Sequence, residues 1–224
     1  MINVKNFDIV TPGTLLSDEN NGRNGTYNEG NNIYSKYFGM VQVNERGVSV
    51  GPVTSKYFPE EGDEVIGRIV EAGSKYWVVD IDAPYLVRLD NRDVNFRTEM
   101  GELDKYMKAG ELILARVTMV YVNNAADISM KGTRYAKLPP NMIVKVDPSK
   151  LPRLIGKEGA TINLIKQETN CDIVVGQNGV VWIEGKGGNV TAAVDAVKFI
   201  EENYYNPNLT DAVREMLQNV REKT

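Results

Sequence analysis

Apolar positions along this chain recur with two periods, and the change between them divides the sequence. Up to Met130 the apolar residues alternate with polar ones or form short runs rich in β-branched and aromatic side chains, the mark of half-buried strands. Residues 33–43 form one such run. Residues 44–47, Asn-Glu-Arg-Gly, then predict a hairpin turn into Val48-Ser49-Val50. Five further strands are predicted at 65–70, 76–82, 85–89, 112–120 and 126–130. Between the third and fourth, Leu103, Tyr106 and Met107 stand at helical spacing. Five short strands with that insertion suit an OB-type barrel.

Beyond Pro140 the pattern mixes both periods. A strand at 142–146 precedes a short helix at 148–155 with Pro at its first turn, and a second helix follows at 161–169. Strands at 172–175 and 180–183 flank Gly176-Gln177-Asn178-Gly179, a hairpin with an Asn-Gly turn. Val190, Val194, Val197 and Ile200 then recur at steps of three and four, giving a helix with one apolar face. Asn206-Pro207-Asn208 ends it, and Leu209, Val213, Leu217 and Val220 mark a short amphipathic tail helix. This tail is expected to pack back on a neighbouring domain. The reading is a multidomain protein, mainly β with α+β. It has an all-β domain over 1–60, the barrel over 61–132 and a linker over 133–140. A β-α-α-β-β-α unit over 141–205 and a C-terminal helix over 206–224 complete it. The first sixty residues have a small core, so that unit should lean on another domain or subunit.

Composition narrows the chemistry. The 224 residues include one cysteine, Cys171, and no histidine. That excludes histidine-dependent nucleophilic catalysis, an internal disulfide and a structural zinc site within the chain. Cys171 opens an apolar run and reads as a small buried hydrophobe in a reducing compartment. No apolar run has the length of a membrane span, and the N-terminus lacks the apolar core of a signal peptide, so a cytoplasmic protein is expected.

Net charge is −4, yet residues 131–158 hold seven basic residues (Lys131, Arg134, Lys137, Lys145, Lys150, Arg153, Lys157) against Asp147 and Glu158. This positive block ends at Gly156-Lys157-Glu158-Gly159, two glycines three apart before a helix. Glycine lets another backbone come close, and the free N–H groups of a helix start favour phosphate. Lys150, Arg153, Gly156, Lys157 and Gly159 are therefore candidate phosphate contacts. Lys75, Tyr76 and Trp77 on the second barrel strand, with Arg88, Arg92 and Arg97 after it, are candidates for stacking and phosphate contact. Strand alternation turns one of Tyr76 and Trp77 into the core, so at most one stacks. Trp182 lies in a strand and reads as core or sheet surface. Asp80 and Asp82 share one strand face and pose the alternative of a magnesium-dependent nuclease, with solvated carboxylates the plainer account.

The β-α-α-β-β-α order around Ile155-Gly156-Lys157-Glu158-Gly159 resembles a type I KH domain. Gly62-Asp63-Glu64-Val65-Ile66-Gly67-Arg68-Ile69 opens a unit that looks like an S1 domain. With Pro12-Gly13, Gly25-Thr26-Tyr27, Gly30, Ile33-Tyr34 and Gly39 before it, nearly the whole chain resembles the S1/KH-type RNA-binding cap subunits of the archaeal exosome. The resemblance implies a non-catalytic protein without cofactors. Its N-terminal domain would dock on a hexameric ring of RNase PH-like subunits, three copies per ring, with other cap subunits of the exosome as further candidate partners. It would capture RNA, A-rich RNA by preference, and feed it to a phosphorolytic 3′-to-5′ chamber. A transcription- or translation-associated S1/KH factor is the alternative; such proteins often carry two KH units, and one fits here. Three departures stand out. The two positions of the S1 face that are commonly aromatic fall at Lys75 and Val78, with Tyr76 and Trp77 beside them. Glu158 puts an acid where the loop usually carries basic or small residues, which shifts the expected RNA contact toward Lys150 and Arg153. Asp127 occupies a position that is commonly basic, which lowers the RNA affinity expected of the S1 face.

Overall fold

The computed structural model describes residues 2–19, 21–45, 47–53, 55–122 and 125–221. Arg46, within the predicted turn, lies outside the described residues, as does the side chain of Val220 in the predicted tail helix.

The N-terminal unit is two small sheets. Strands β1 (Ile9–Val10), β5 (Gly39–Asn44) and β6 (Gly47–Pro52) form one, in the order β1-β5-β6. Strands β2 (Leu15–Ser17), β3 (Thr26–Glu29) and β4 (Asn32–Ser35) form the other, in the order β2-β4-β3. Val10, Leu16, Ile33, Val41, Val48 and Val50 fill the space between them. A core this small stabilises little by itself, and the unit is tied to the C-terminal domain. Ser55 N donates to Asp147 Oδ1 at 3.0 Å, and Ser149 Oγ donates to the Val53 carbonyl at 3.0 Å.

The second unit is a closed barrel of β7 (Glu64–Ala72), β8 (Tyr76–Asp80), β9 (Val87–Asp90), β10 (Leu112–Val120) and β11 (Ala126–Ser129). Strand β11 runs parallel to β9 and antiparallel to β10, which closes the ring. Alternation on β7 turns Val65 and Ile69 inward and Ile66 and Arg68 outward; on β10, Ile113, Ala115 and Val117 face in. The insertion before β10 forms one 3-10 turn, Leu103–Lys105, in place of a longer helix. It puts Leu103 and Met107 against the barrel core. Trp77 is fully buried there and its Nε1 donates to the Met107 carbonyl at 3.1 Å.

Residues 133–140 are more than a linker. Strand β12 (Lys137–Leu138) adds to the barrel sheet at β10. The C-terminal domain then runs β13 (Met142–Lys145), α1 (Leu151–Ile155), α2 (Ala160–Thr169), β14 (Asp172–Val175), β15 (Val180–Glu184) and α3 (Gly188–Glu202), with the sheet ordered β13-β15-β14. The tail helix, α4 (Leu209–Arg221), packs Leu209, Val213 and Leu217 into the same core as α2 and α3. Cys171 is buried in that core.

Strand β15 explains the apolar run Val180-Val181-Trp182-Ile183. Val181 and Ile183 face the helices, while Val180 and Trp182 face the barrel and meet Ile66, Leu112 and Leu114. A strand buried on both faces loses the polar half of its alternation. Trp182 is thus a seam residue, its Nε1 donating to the Pro139 carbonyl at 3.0 Å.

Candidate nucleic-acid interface

The glycine loop is built by backbone geometry. Helix α1 closes with Gly156 N donating to the Pro152 carbonyl at 2.9 Å. Gly156 then takes φ 76°, and a Cβ there would lie 2.4 Å from Thr161 Oγ1 and 2.8 Å from Thr161 N. Only glycine fits this corner. Glu158 also adopts a left-handed backbone, φ 53°, which an L-residue with a long side chain adopts at a cost. Helix α2 starts immediately after Gly159, directing its first N–H groups at the loop. Lys157 and Glu158 are exposed, and neither forms an ion pair among the described residues. Beside the loop lies a groove of about 440 Å³, with Leu151, Pro152 and Ile155 on one wall and Val175 and Gln177 on the other.

The two basic residues favoured from sequence, Lys150 and Arg153, are both engaged within the chain. Arg153 Nε donates to the Tyr204 carbonyl at 2.8 Å and Nη2 to the Asn206 carbonyl, and the guanidinium lies 4.8 Å from the centre of the Phe7 ring. Burial lowers its pKa. Lys150 stands 3.7 Å from Glu201 and 5.2 Å from the Tyr204 ring centre. Both side chains fasten α1 to the end of α3.

Four more members of the positive block are held in ion pairs. Lys131 pairs with Asp93 at 3.0 Å, Arg134 with Glu64 at 3.1 Å, Lys137 with Glu111 at 2.8 Å and Lys145 with Asp82 at 2.6 Å. These acids all belong to the barrel domain, so the block complements its neighbour through exposed ion pairs. Of its seven members, Lys157 alone has no acidic or carbonyl partner among the described residues. The two carboxylates of the nuclease reading are engaged as well. Asp82 holds Lys145, Asp80 Oδ1 accepts from Asp82 N at 2.8 Å, and no cluster of three metal-ligating side chains occurs among the described residues.

On the barrel, alternation separates the two aromatic candidates. Tyr76 is 42% exposed and Trp77 0%, so Trp77 is corrected from a stacking candidate to a core residue. Tyr76, Val78, Arg88 and Asp127 share the outer face through the β8–β9 and β9–β11 registers. The Arg88 guanidinium lies 5.9 Å from the Tyr76 ring centre. Arg92 is bound to Asp90 at 2.9 Å. Lys75 and Arg97 are exposed, and the Arg97 loop is tied back by Thr98 Oγ1 to the Asn91 carbonyl at 3.4 Å. Tyr121, absent from the candidates read from sequence, joins the face because its hydroxyl donates to Asp127 at 2.6 Å. Its only signal in the sequence was an aromatic just past the end of a strand.

The family profile described as "KH domain" matches residues 141–199, and the profile described as "Exosome RNA binding protein RRP4 N-terminal domain" matches residues 8–54. The chain is similar to the exosome complex component Rrp4 of Thermoplasma acidophilum, 36% identical over 95% of this chain and 91% of that one. It is 40% identical to the Rrp4 of Thermococcus kodakarensis over 96% of this chain and 86% of that one. A crystal structure assigned as an exosome complex RNA-binding protein superposes with TM-score 0.69 at 29% identity, covering 75% of this chain and 98% of that one.

Proposed function

The chain belongs to the Rrp4 family of exosome complex components, and from that premise we propose that it is a non-catalytic RNA-binding subunit of an exosome. Single-stranded RNA is held at two places. The Gly156–Gly159 loop takes the backbone, with Lys157 on phosphate and the adjoining groove receiving bases. The outer face of the barrel takes further bases on Tyr76, with Lys75, Arg88 and Arg97 nearby. Arg92 contributes only where RNA displaces Asp90.

What carries this reading is the selective availability of Lys157. The other cations of the block are spent on intramolecular partners, while the one at the start of α2 is left open beside an apolar groove. The N-terminal unit supplies the complementary surface. Ile9, Tyr37 and Phe38 are large apolar side chains left exposed on it, which supports docking on a hexameric RNase PH-like ring. Three copies around one entrance make a modest single-site binder effective through multivalency. The ring then degrades the RNA phosphorolytically from its 3′ end, with A-rich RNA preferred, in the cytoplasm.

Co-expression with ring subunits followed by native mass measurement tests the assembly. The expected species is a hexameric ring carrying three copies of this chain. A chain that stays monomeric beside the ring, or is recovered with ribosome or polymerase, overturns it.

A further inference from the structure

Asp127 stands where the sequence led one to expect weakened RNA binding, yet its carboxylate gathers two neighbours of the barrel face. Arg88 Nε donates to its Oδ1 at 3.0 Å and Arg88 Nη2 to its Oδ2 at 3.3 Å. The Tyr121 hydroxyl donates to the same Oδ2 at 2.6 Å. Its backbone is held as well. The β10–β11 register slips between Val117 and Met119, and within that bulge Thr118 Oγ1 donates to the Asp127 carbonyl at 3.1 Å. Bulges of this kind aim a side chain that a regular ladder would point elsewhere.

Two consequences follow from the chemistry. A bidentate carboxylate fixes the plane of a guanidinium, so the half-exposed Arg88 side chain is oriented beside the Tyr76 ring. The carboxylate also cancels the Arg88 charge, leaving a surface that attracts phosphate weakly and offers flat π faces. The Tyr121 phenol, hydrogen-bonded to that carboxylate, is held above its ordinary pKa.

We propose that Asp127 is a positioning residue that locks Arg88 and Tyr121 beside Tyr76 into one base-stacking platform, whose hold on RNA depends little on salt. The proposal rests on the RNA-binding reading of the barrel face. It assigns the acid an organising role in place of simple repulsion, and it divides the labour: stacking on the barrel, phosphate contact at the Lys157 loop.

The test titrates the full-length chain with a short single-stranded oligoadenylate at low and high salt, comparing wild type with Tyr76→Ala, Asp127→Ala, Asp127→Asn and Tyr121→Phe. High salt screens Coulombic contacts and isolates stacking. Asp127→Ala is expected to bind at least about fivefold more weakly at high salt. Its salt dependence should steepen by about one phosphate contact, because Arg88 is released. Asp127→Asn, which keeps one acceptor oxygen, should fall between Asp127→Ala and wild type. Tyr121→Phe, which loses only the hydroxyl, should lose part of the same affinity and keeps the test decisive if Asp127→Ala folds poorly. Spectroscopic titration should show the Tyr121 phenol returning toward its ordinary range in Asp127→Asn. Unchanged or tighter high-salt binding by the Asp127 variants, with Tyr76→Ala weakened, overturns the positioning role alone. Unchanged binding by Tyr76→Ala overturns the barrel-face reading and this inference with it.

Discussion

Asn178, at the tip of the KH hairpin, is hydrogen-bonded both ways to the backbone of Ile66 in the barrel. Its Nδ2 donates to the Ile66 carbonyl at 2.8 Å and its Oδ1 accepts from Ile66 N at 3.2 Å. The second Nδ2 hydrogen reaches the Ile81 carbonyl at 2.8 Å. The side-chain amide thus takes the place of a neighbouring strand on the outer edge of β7. Gln177 repeats the pattern beside it: its N donates to the Glu64 carbonyl and its Oε1 accepts from Glu64 N. Gly179, at φ 82° with no room for a Cβ against the Val146 carbonyl, turns the chain so that both side chains reach the barrel. The apolar contacts of Trp182 and Val180 lie behind them. The KH domain and barrel are thus joined by hydrogen bonds and by a shared apolar seam.

Removing that plug should be costly. Asn178 is 2% exposed, so Asn178→Ala leaves buried backbone groups of Ile66 and Ile81 without partners. The expected loss is about 1–3 kcal/mol, seen as a lower midpoint in chemical denaturation. Asn178→Asp should be worse, because it removes both donors. A midpoint equal to wild type for Asn178→Ala would contradict the two-way bond.

Arg153→Ala should affect stability and spare RNA. Its carbonyl bonds and the Phe7 contact join three segments, and their loss is expected to cost about 1–3 kcal/mol. Affinity for single-stranded RNA, measured below the unfolding transition, should stay within twofold of wild type. A large affinity loss in a stable Arg153 variant would return that residue to the RNA interface.

Glu158 places a negative charge and a left-handed backbone in the glycine loop. Asparagine tolerates the left-handed region better than glutamate and carries no charge. Glu158→Asn is expected to raise RNA affinity several-fold at low salt and to leave or slightly raise the melting temperature. Weaker binding would mean that the carboxylate makes a favourable contact with RNA.

Tyr76 and Trp77 are adjacent in sequence and lie on opposite faces of β8. Tyr76→Ala should cost about 1–3 kcal/mol of RNA binding with the salt dependence and melting temperature unchanged. Trp77→Ala opens a cavity in the barrel and should destabilise it by about 3–5 kcal/mol. The reverse assignment of effects would invert the strand's orientation.

The order of elements was legible because alternation, helical spacing and glycine turns are local signals. Gly156 and Gly159 marked the loop, and the spacing of Leu209, Val213 and Leu217 marked α4. What was not legible was pairing at a distance. Seven basic residues in a row of segments look like an RNA track until Glu64, Asp82, Asp93, Glu111 and Glu201 are placed opposite five of them. Arg153 looked free because its acceptors are main-chain carbonyls some fifty residues away, which no side-chain pattern announces. Asp127 looked like a defect because its partners lie on β9 and beyond the end of β10. Tyr76 and Trp77 could be narrowed to one by alternation, but choosing between them required the register of β8.

The most direct test of the account is the affinity of the full-length chain for a single-stranded oligoadenylate, by fluorescence anisotropy, in the double variant Lys157→Ala/Tyr76→Ala. The account predicts a loss of at least about tenfold, with the salt dependence reduced by about one phosphate contact through Lys157 and the melting temperature retained. Wild-type affinity and salt dependence in a folded double variant would contradict it.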